Sequence, residues 1–249
     1  MHDTDDKLIL GHTMPEGRGI EDGLHLISIV ANHPSTARFI CQKLCVRFVS
    51  DEPPESLVES AAQVFTETGG EIVPVMRHIL LSAEFAASAG QKLRRPLELF
   101  IGVTRATGTT VRDDWYYQTL LEDLAHVPYA WSPPNGYPDV AGAWMGTGSL
   151  LARWNTAMTL THTAYSAQDS GMMTEIRQRV GNPETIGALV DAVAAQVFGA
   201  PLEGAARESF VIYAADRGNE NAPATPRVIS DKLGTLYGLM LASPLYQWK

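Results

Sequence analysis

Cysteine is scarce in this 249-residue chain, which contains only Cys41 and Cys45. The two residues are four positions apart in a helical pattern and share one helix face, where an i,i+4 pair does not present the Cβ geometry of a disulfide. A Cys-x3-Cys-x2-Cys iron–sulfur loop is also excluded, because Phe48 stands where the third cysteine is needed. We therefore expect both cysteines to be reduced residues of the core.

Long apolar runs are absent as well. The best stretch, Leu233 to Ala242, is about half of the roughly 18 to 20 uncharged residues that span a bilayer, so we expect no membrane span. The first twenty residues place acids where a secretory signal needs basic residues, so we expect no signal peptide in this chain.

Basic residues are outnumbered. The chain has 19 Lys and Arg against 28 Asp and Glu, a formal charge of −9, and the basic residues are scattered rather than aligned. Such a surface offers no broad cationic face for phosphates, so we expect no nucleic-acid partner. The apolar fraction of 45% is high enough for a large core and excludes a disordered chain.

The usual catalytic and metal-binding strings are missing. The sequence has no His-Glu-x2-His, no Walker loop, no Gly-x-Ser-x-Gly and no Cys-x2-Cys. Its histidines contain no i,i+4 pair, so a metal site would need residues from distant segments; they are His2, His12, His25, His33, His78, His126 and His162. We expect no metal and no cofactor, and whether the protein is an enzyme stays open.

A helical period dominates the rest of the chain. Apolar residues recur three and four apart between prolines and glycines, as in the segment from Pro34 to Val49 and in the segment from Pro96 to Thr107. We predict an all-α fold, an irregular bundle of about nine or ten helices with a further short one near 172–180. A short extended arm, Lys7 to Gly11, precedes them as one side of a hairpin.

The segment 126–148 breaks this pattern. It has no period, four prolines and four large aromatic residues, and loops longer than about 12 to 15 residues in compact domains are usually functional or disordered. The aromatics argue against disorder. The candidate binding residues are Trp131, Asn135, Tyr137 and Trp144, with Arg153 on the next helix as an anchor for an anionic group. The alternative is a structural brace that fills a gap between helices.

This loop also sets the predicted domain organisation. We expect one helical domain over residues 1–249, with possible sub-lobes 1–125 and 149–249 joined by the loop 126–148.

Several motifs together carry a family resemblance. They are Asn32-His33-Pro34-Ser35-Thr36-Ala37-Arg38-Phe39-Ile40, Asp51-Glu52-Pro53-Pro54, Trp131-Ser132-Pro133-Pro134-Asn135-Gly136-Tyr137-Pro138 and Ser243-Pro244. In this order they resemble the bacterial family called domain of unknown function 1800. The resemblance implies a mainly helical protein, often exported and frequently encoded beside a sulfatase-like partner family, with no established activity.

The same resemblance bears on the ends of the chain. Family members usually carry a further helical half ahead of the His2-Asp3 segment, so this chain looks like the C-terminal half, and Met1 is either a natural start or a truncation. Full-length members are then periplasmic or extracellular. A missing half would uncover apolar surface, and we expect either a large exposed apolar patch near Leu8 to Leu10 or self-association that covers it.

Two functional hypotheses remain open. The leading one is a non-catalytic binding or assembly module that works outside the cytoplasm. The alternative is a hydrolase acting on an extracellular polymer, with a site built from distant helices. A concave pocket with two close titratable groups would favour the hydrolase, and a flat aromatic patch would favour the binding module.

Overall fold

The computed structural model describes residues 3–108, 115–165, 170–215 and 218–249. Within these ranges the chain forms thirteen α-helices, one 3₁₀ turn and one two-stranded hairpin, which confirms the predicted all-α fold. It divides into two compact units, Met1–Lys92 and Leu93–Lys249. In the described part of the chain, no helix combines the length and the apolar character that crossing a membrane requires.

The first unit opens with an antiparallel hairpin. Strand β1 (Lys7–Ile9) pairs with β2 (His12–Met14), in a register that sets Leu8 opposite Thr13. The two turn residues, Leu10 and Gly11, both have positive φ, which matches the right-handed twist of the strands. The arm predicted from Lys7 to Gly11 thus has its partner strand within this chain.

Helices α1 (Ile20–Ala31), α2 (Pro34–Phe48), α3 (Glu55–Glu67), α4 (Ile72–Leu80) and the short α5 (Ala83–Ala86) complete the first unit. The core of this unit forms between α2, α3 and α4 around Cys41, Cys45, Val49, Leu57, Val58, Ala61, Val75 and Ile79. Both cysteines are free and buried, and burial raises the pKa of the Cys45 thiol to about 11.

Helix α1 is amphipathic, but its apolar face is not covered. Ile20, Leu24 and Ile27, spaced four and three apart, are each more than 60% exposed. Leu8 and Leu10 of the hairpin are also exposed, so apolar side chains are uncovered where the sequence suggested. Self-association through them stays a prediction.

The second unit contains the longer helices. They are α6 (Pro96–Thr107), α7 (Trp115–Asp123), α8 (Thr147–Tyr165), α9 (Ser170–Val180), α10 (Ile186–Phe198), α11 (Gly204–Ala214), α12 (Pro226–Ala242) and the short α13 (Pro244–Gln247), with a 3₁₀ turn at Ala141–Ala143. Helix α8 packs along α12 and α6, and α10 packs against α12. Fully buried leucine and valine side chains from these helices form one core.

The loop 126–148 lies wholly within the second unit, between α7 and α8. The boundary between the two compact units therefore falls between Lys92 and Leu93, ahead of α6 in the sequence. The possible sub-lobes 1–125 and 149–249, joined by the loop 126–148, remain a prediction.

Candidate functional site

Four rings of the loop 126–148 form a continuous aromatic cluster. The ring centroids of Trp131 and Tyr137 are 4.9 Å apart, and those of Tyr137 and His126 are 4.2 Å apart. His126 stacks on Trp144 at 5.2 Å with an interplanar angle of 7°. The structure thus brings together three of the predicted residues, Trp131, Tyr137 and Trp144, around a histidine that the sequence analysis did not select.

Hydrogen bonds within the loop fix the orientation of these rings. Trp131 Nε1 donates to Asn135 Oδ1 at 3.1 Å, Tyr137 Oη donates to the carbonyl of Val127 at 2.9 Å, and Trp144 Nε1 donates to the carbonyl of Pro138 at 3.0 Å. Trp131, Tyr137 and Trp144 therefore each have their polar atom paired inside the loop. The loop is ordered by its own side chains.

The aromatic cluster has a buried side and an exposed rim. His126 and Trp144 are 4% and 6% exposed, whereas Trp131 is 38% exposed. Tyr129 lies beside this rim in sequence and is completely exposed, with a φ of 64°. A left-handed backbone is uncommon for an aromatic residue and occurs mostly in turns.

His126 joins the loop to the start of α6. Its Nδ1 accepts a hydrogen bond from the backbone N–H of Leu97 at 3.3 Å. Burial, and to a lesser degree the positive charge of Arg95, lower the pKa of His126 to about 4 against the opposing effect of Glu98. The imidazole is therefore neutral near pH 7, with Nδ1 as the acceptor.

Ion pairs add a second link between the loop and α6. Arg95 Nε lies 3.7 Å from Asp139 Oδ1 of the loop, and Glu98 accepts from the backbone N–H of Arg95 at 3.0 Å and from Lys249 Nζ at 2.9 Å. Because Glu98 is the third residue of α6, its carboxylate also lies at the positive end of the helix dipole.

Arg153 occupies a different place from the other predicted residues. It is fully buried on α8 and donates from Nε to Gln247 Oε1 at 2.6 Å and from Nη2 to the carbonyl of Arg94 at 2.5 Å. Burial lowers the pKa of this guanidinium to about 10. Both hydrogen bonds go to residues outside the loop, so Arg153 belongs to a separate polar cluster.

A histidine lines a cavity in each of the two units. In the second unit, a cavity of about 210 Å³ is lined by Met158, Thr161, His162, Asp231, Gly234 and Thr235. In the first unit, an open groove of about 720 Å³ is lined by Val64, Val73, Pro74, Arg77, His78, Leu81 and Ser82. His78 Nε2 in that groove lies 2.9 Å from Ser60 Oγ. Among the described residues, no three His, Cys, Asp or Glu side chains converge as metal ligands would.

The comparison with known families gives one finding. The model of the family described as "Protein of unknown function (DUF1800)" matches residues 1–248, which include both compact units and the aromatic loop. No curated protein matches the chain, and no solved structure does.

Proposed function

The chain belongs to the DUF1800 family of proteins of unknown function, and from this premise we propose that it is a non-catalytic module that binds a carbohydrate polymer outside the cytoplasm. The exposed rim of the aromatic loop, Tyr129 and Trp131, would hold the ligand. The location rests on the export that the family resemblance implies.

The observation that carries the proposal is the pre-set orientation of Trp131. The indole is 38% exposed, its Nε1 is held by Asn135, and its ring lies against Tyr137. A ring that is already fixed loses little side-chain entropy when a ligand stacks on it. Tyr129, fully exposed at positive φ, extends the same part of the loop. An exposed ring that is held in one orientation, as Trp131 is, is well suited to a flat apolar ligand face.

The size of this rim favours a sugar over a protein partner. A standard protein interface buries about 800 Å² on each side. One aromatic side chain buries about 150–250 Å² at most, so two partly available rings fall well short of that area. The apolar face of a single sugar ring matches one indole, and repeated sugars along a polymer can occupy successive rings. The side-chain amide of Asn135 lies next to Trp131 for polar contacts.

A hydrolase is the second candidate, and one observation favours it. Ser60 Oγ and His78 Nε2 are 2.9 Å apart, the geometry of a nucleophile and its base, and His78 lines an open groove. However, Ser60 Oγ also lies 3.1 Å from the carbonyl of Leu57. A hydroxyl has one proton, so when Ser60 donates to Leu57 it can only accept from His78, which is the wrong direction for attack. This polarity supports a structural role for the pair.

Co-sedimentation with insoluble polysaccharides tests the binding proposal. Cellulose, chitin and purified peptidoglycan sacculi serve as probes, with Trp131→Ala, Tyr129→Ala and a matched control, Trp115→Ala, which removes a tryptophan that is 77% exposed on α7. We expect wild-type protein to bind at least one polymer and Trp131→Ala to weaken that binding about two- to tenfold, since one stacked ring contributes about 0.5–1.5 kcal/mol. Trp115→Ala should leave binding unchanged.

Two outcomes would contradict the proposal. One is a wild-type chain that sediments with none of the polymers. The other is a Trp131→Ala protein that binds as tightly as wild type. Circular dichroism and the melting temperature of each variant confirm that a loss of binding is not a loss of folding.

A further inference from the structure

The polar cluster around Arg153 contains more hydrogen-bond donors than acceptors. A guanidinium has five N–H bonds. Arg153 places one on Gln247 Oε1 and one on the carbonyl of Arg94, and its Nη1 is buried without a hydrogen-bond partner among the described residues. The side-chain nitrogen of Gln247, Nε2, is also buried without a partner in that part of the chain. Two donor atoms from one contact pair are thus left over.

The charge of Arg153 points in the same direction. Both acceptors it uses, an amide oxygen and a backbone carbonyl, are neutral. The carboxylate of Glu98 acts on the fully buried guanidinium through its charge, but burial outweighs this effect and lowers the pKa of Arg153 to about 10. A buried charge is expensive unless an opposite charge compensates it. An acceptor that also carries negative charge would satisfy both requirements.

The start of α6 lies next to Arg153. Arg94 and Arg95 directly precede α6, whose first residue is Pro96, and the carbonyl of Arg94 accepts from Arg153. The carboxylate of Glu98 is engaged by Lys249 Nζ and by the N–H of Arg95. Anions favour such helix starts.

The C-terminal strap, residues 243–249, covers this cluster. Arg94 N donates to the carbonyl of Gln247 at 2.7 Å, Arg94 Nε donates to the carbonyl of Tyr246 at 2.9 Å, and Leu93 forms an isolated bridge with Trp248. The position of the Gln247 amide therefore depends on how the strap is seated.

We propose that Arg153 and Gln247 form an enclosed subsite for an oxyanion, a carboxylate, phosphate or sulfate group, with Arg153 Nη1 and Gln247 Nε2 as donors. The subsite stands apart from the aromatic rim, and it does not depend on carbohydrate binding at Trp131. The strap 243–249 closes over the bound anion, so exchange is slow and samples need long equilibration.

Thermal unfolding in defined anions tests the subsite. Sodium phosphate, sodium sulfate and sodium acetate are titrated at constant ionic strength, with sodium chloride as the balance, after overnight equilibration. We expect at least one oxyanion to raise the melting temperature saturably, by about 3 °C or more at ten times its Kd. The three arms identify which oxyanion chemistry fits. A rise that is linear and does not saturate reflects general salting effects and overturns the proposal.

Two variants locate the effect. Arg153→Met should abolish the saturable rise, whereas Arg227→Met, which removes an arginine whose side chain is 91% exposed on α12, should retain it. If Arg153→Met does not fold, Gln247→Glu still tests the subsite, because it places a carboxylate next to Arg153 in a side chain of nearly the same volume as Gln247. We expect Gln247→Glu to melt higher than wild type and to lose its response to the oxyanion. A response equal to wild type in Gln247→Glu would overturn the proposal.

Discussion

Protonation of His126 should loosen the packing on the buried side of the aromatic cluster. The neutral ring accepts from the N–H of Leu97 through Nδ1 and stacks on Trp144, and burial together with Arg95 holds its pKa at about 4. A protonated imidazole has no acceptor atom, so it would lose the bond to Leu97 and place a charge in a site that is 4% exposed. Acid should therefore destabilise the second unit before its carboxylates titrate.

The size of this effect follows from the difference between the folded and unfolded pKa. In the unfolded chain a histidine titrates near 6.5, so between pH 6.5 and about pH 4 the unfolded state binds one more proton than the folded state. Stability then rises with pH across this window. The contribution is fully present above about pH 6.5 and is lost as the pH falls to about 4. The shift of about 2.5 units corresponds to about 3 kcal/mol.

Carbon-13 labelling of the histidine rings allows a direct NMR titration. The resonance that disappears in His126→Asn belongs to His126, and the Asn side chain keeps an acceptor near the Nδ1 position. At pH 5.5 a ring with a pKa of about 4 is about 3% protonated, whereas an ordinary histidine is about 90% protonated. Urea unfolding at pH 7 and pH 5.5 provides the energetic readout, with the exposed His162→Asn as control.

A His126 ring whose resonance shows it to be mostly protonated at pH 5.5 would refute this prediction. The prediction would equally be refuted if His126→Asn and wild type lost the same stability between pH 7 and pH 5.5. In either case, burial beside Trp144 would not exclude the charged ring.

Two further predictions concern the packing and the Ser60–His78 pair. Gly102→Ala should destabilise the second unit by about 1–3 kcal/mol in urea unfolding, because the new Cβ would lie 2.7 Å from Tyr246 Oη. Gly148→Ala is the control. Its Cβ would have no atom within 4 Å, so this variant should be neutral or slightly stabilising. We expect Ser60→Ala and wild type to hydrolyse p-nitrophenyl butyrate at the same background rate. A wild-type rate that falls by about a hundredfold in Ser60→Ala would instead support the hydrolase hypothesis.

The helices were predictable because their start and stop residues act locally. Helix α6 runs from Pro96 to Thr107 as the sequence predicts, since proline suits the first helical turn and Gly108 adopts a φ of 72° at the C-terminus. His33 likewise precedes α2 and accepts from the N–H of Ser35 at 3.1 Å. Such signals depend on neighbours in the chain and need no knowledge of tertiary packing.

The partners of each helix face were not predictable in the same way. The spacing of Ile20, Leu24 and Ile27 defines an apolar stripe, but a stripe does not say what covers it, and in the structure all three are exposed. Arg153 shows the converse. Beside Trp154 and Asn155 it reads as a surface anchor, yet its position on α8 turns it inward, toward Gln247, which is 94 residues away. Contacts of that separation leave no local pattern in the sequence.

The aromatic loop could be recognised from its composition, but the sequence did not indicate which of its rings are buried and which are exposed. Brace and binding surface were alternatives for the loop as a whole, whereas the structure assigns different rings to different environments. His126 and Trp144 are buried and connect the loop to α6, while Trp131 and Tyr129 face solvent. Tyr137 contacts both Trp131 and His126 and so links the two sides. The inner rings thus supply the rigidity that a binding function of the outer rings requires, and the two hypotheses become parts of one arrangement.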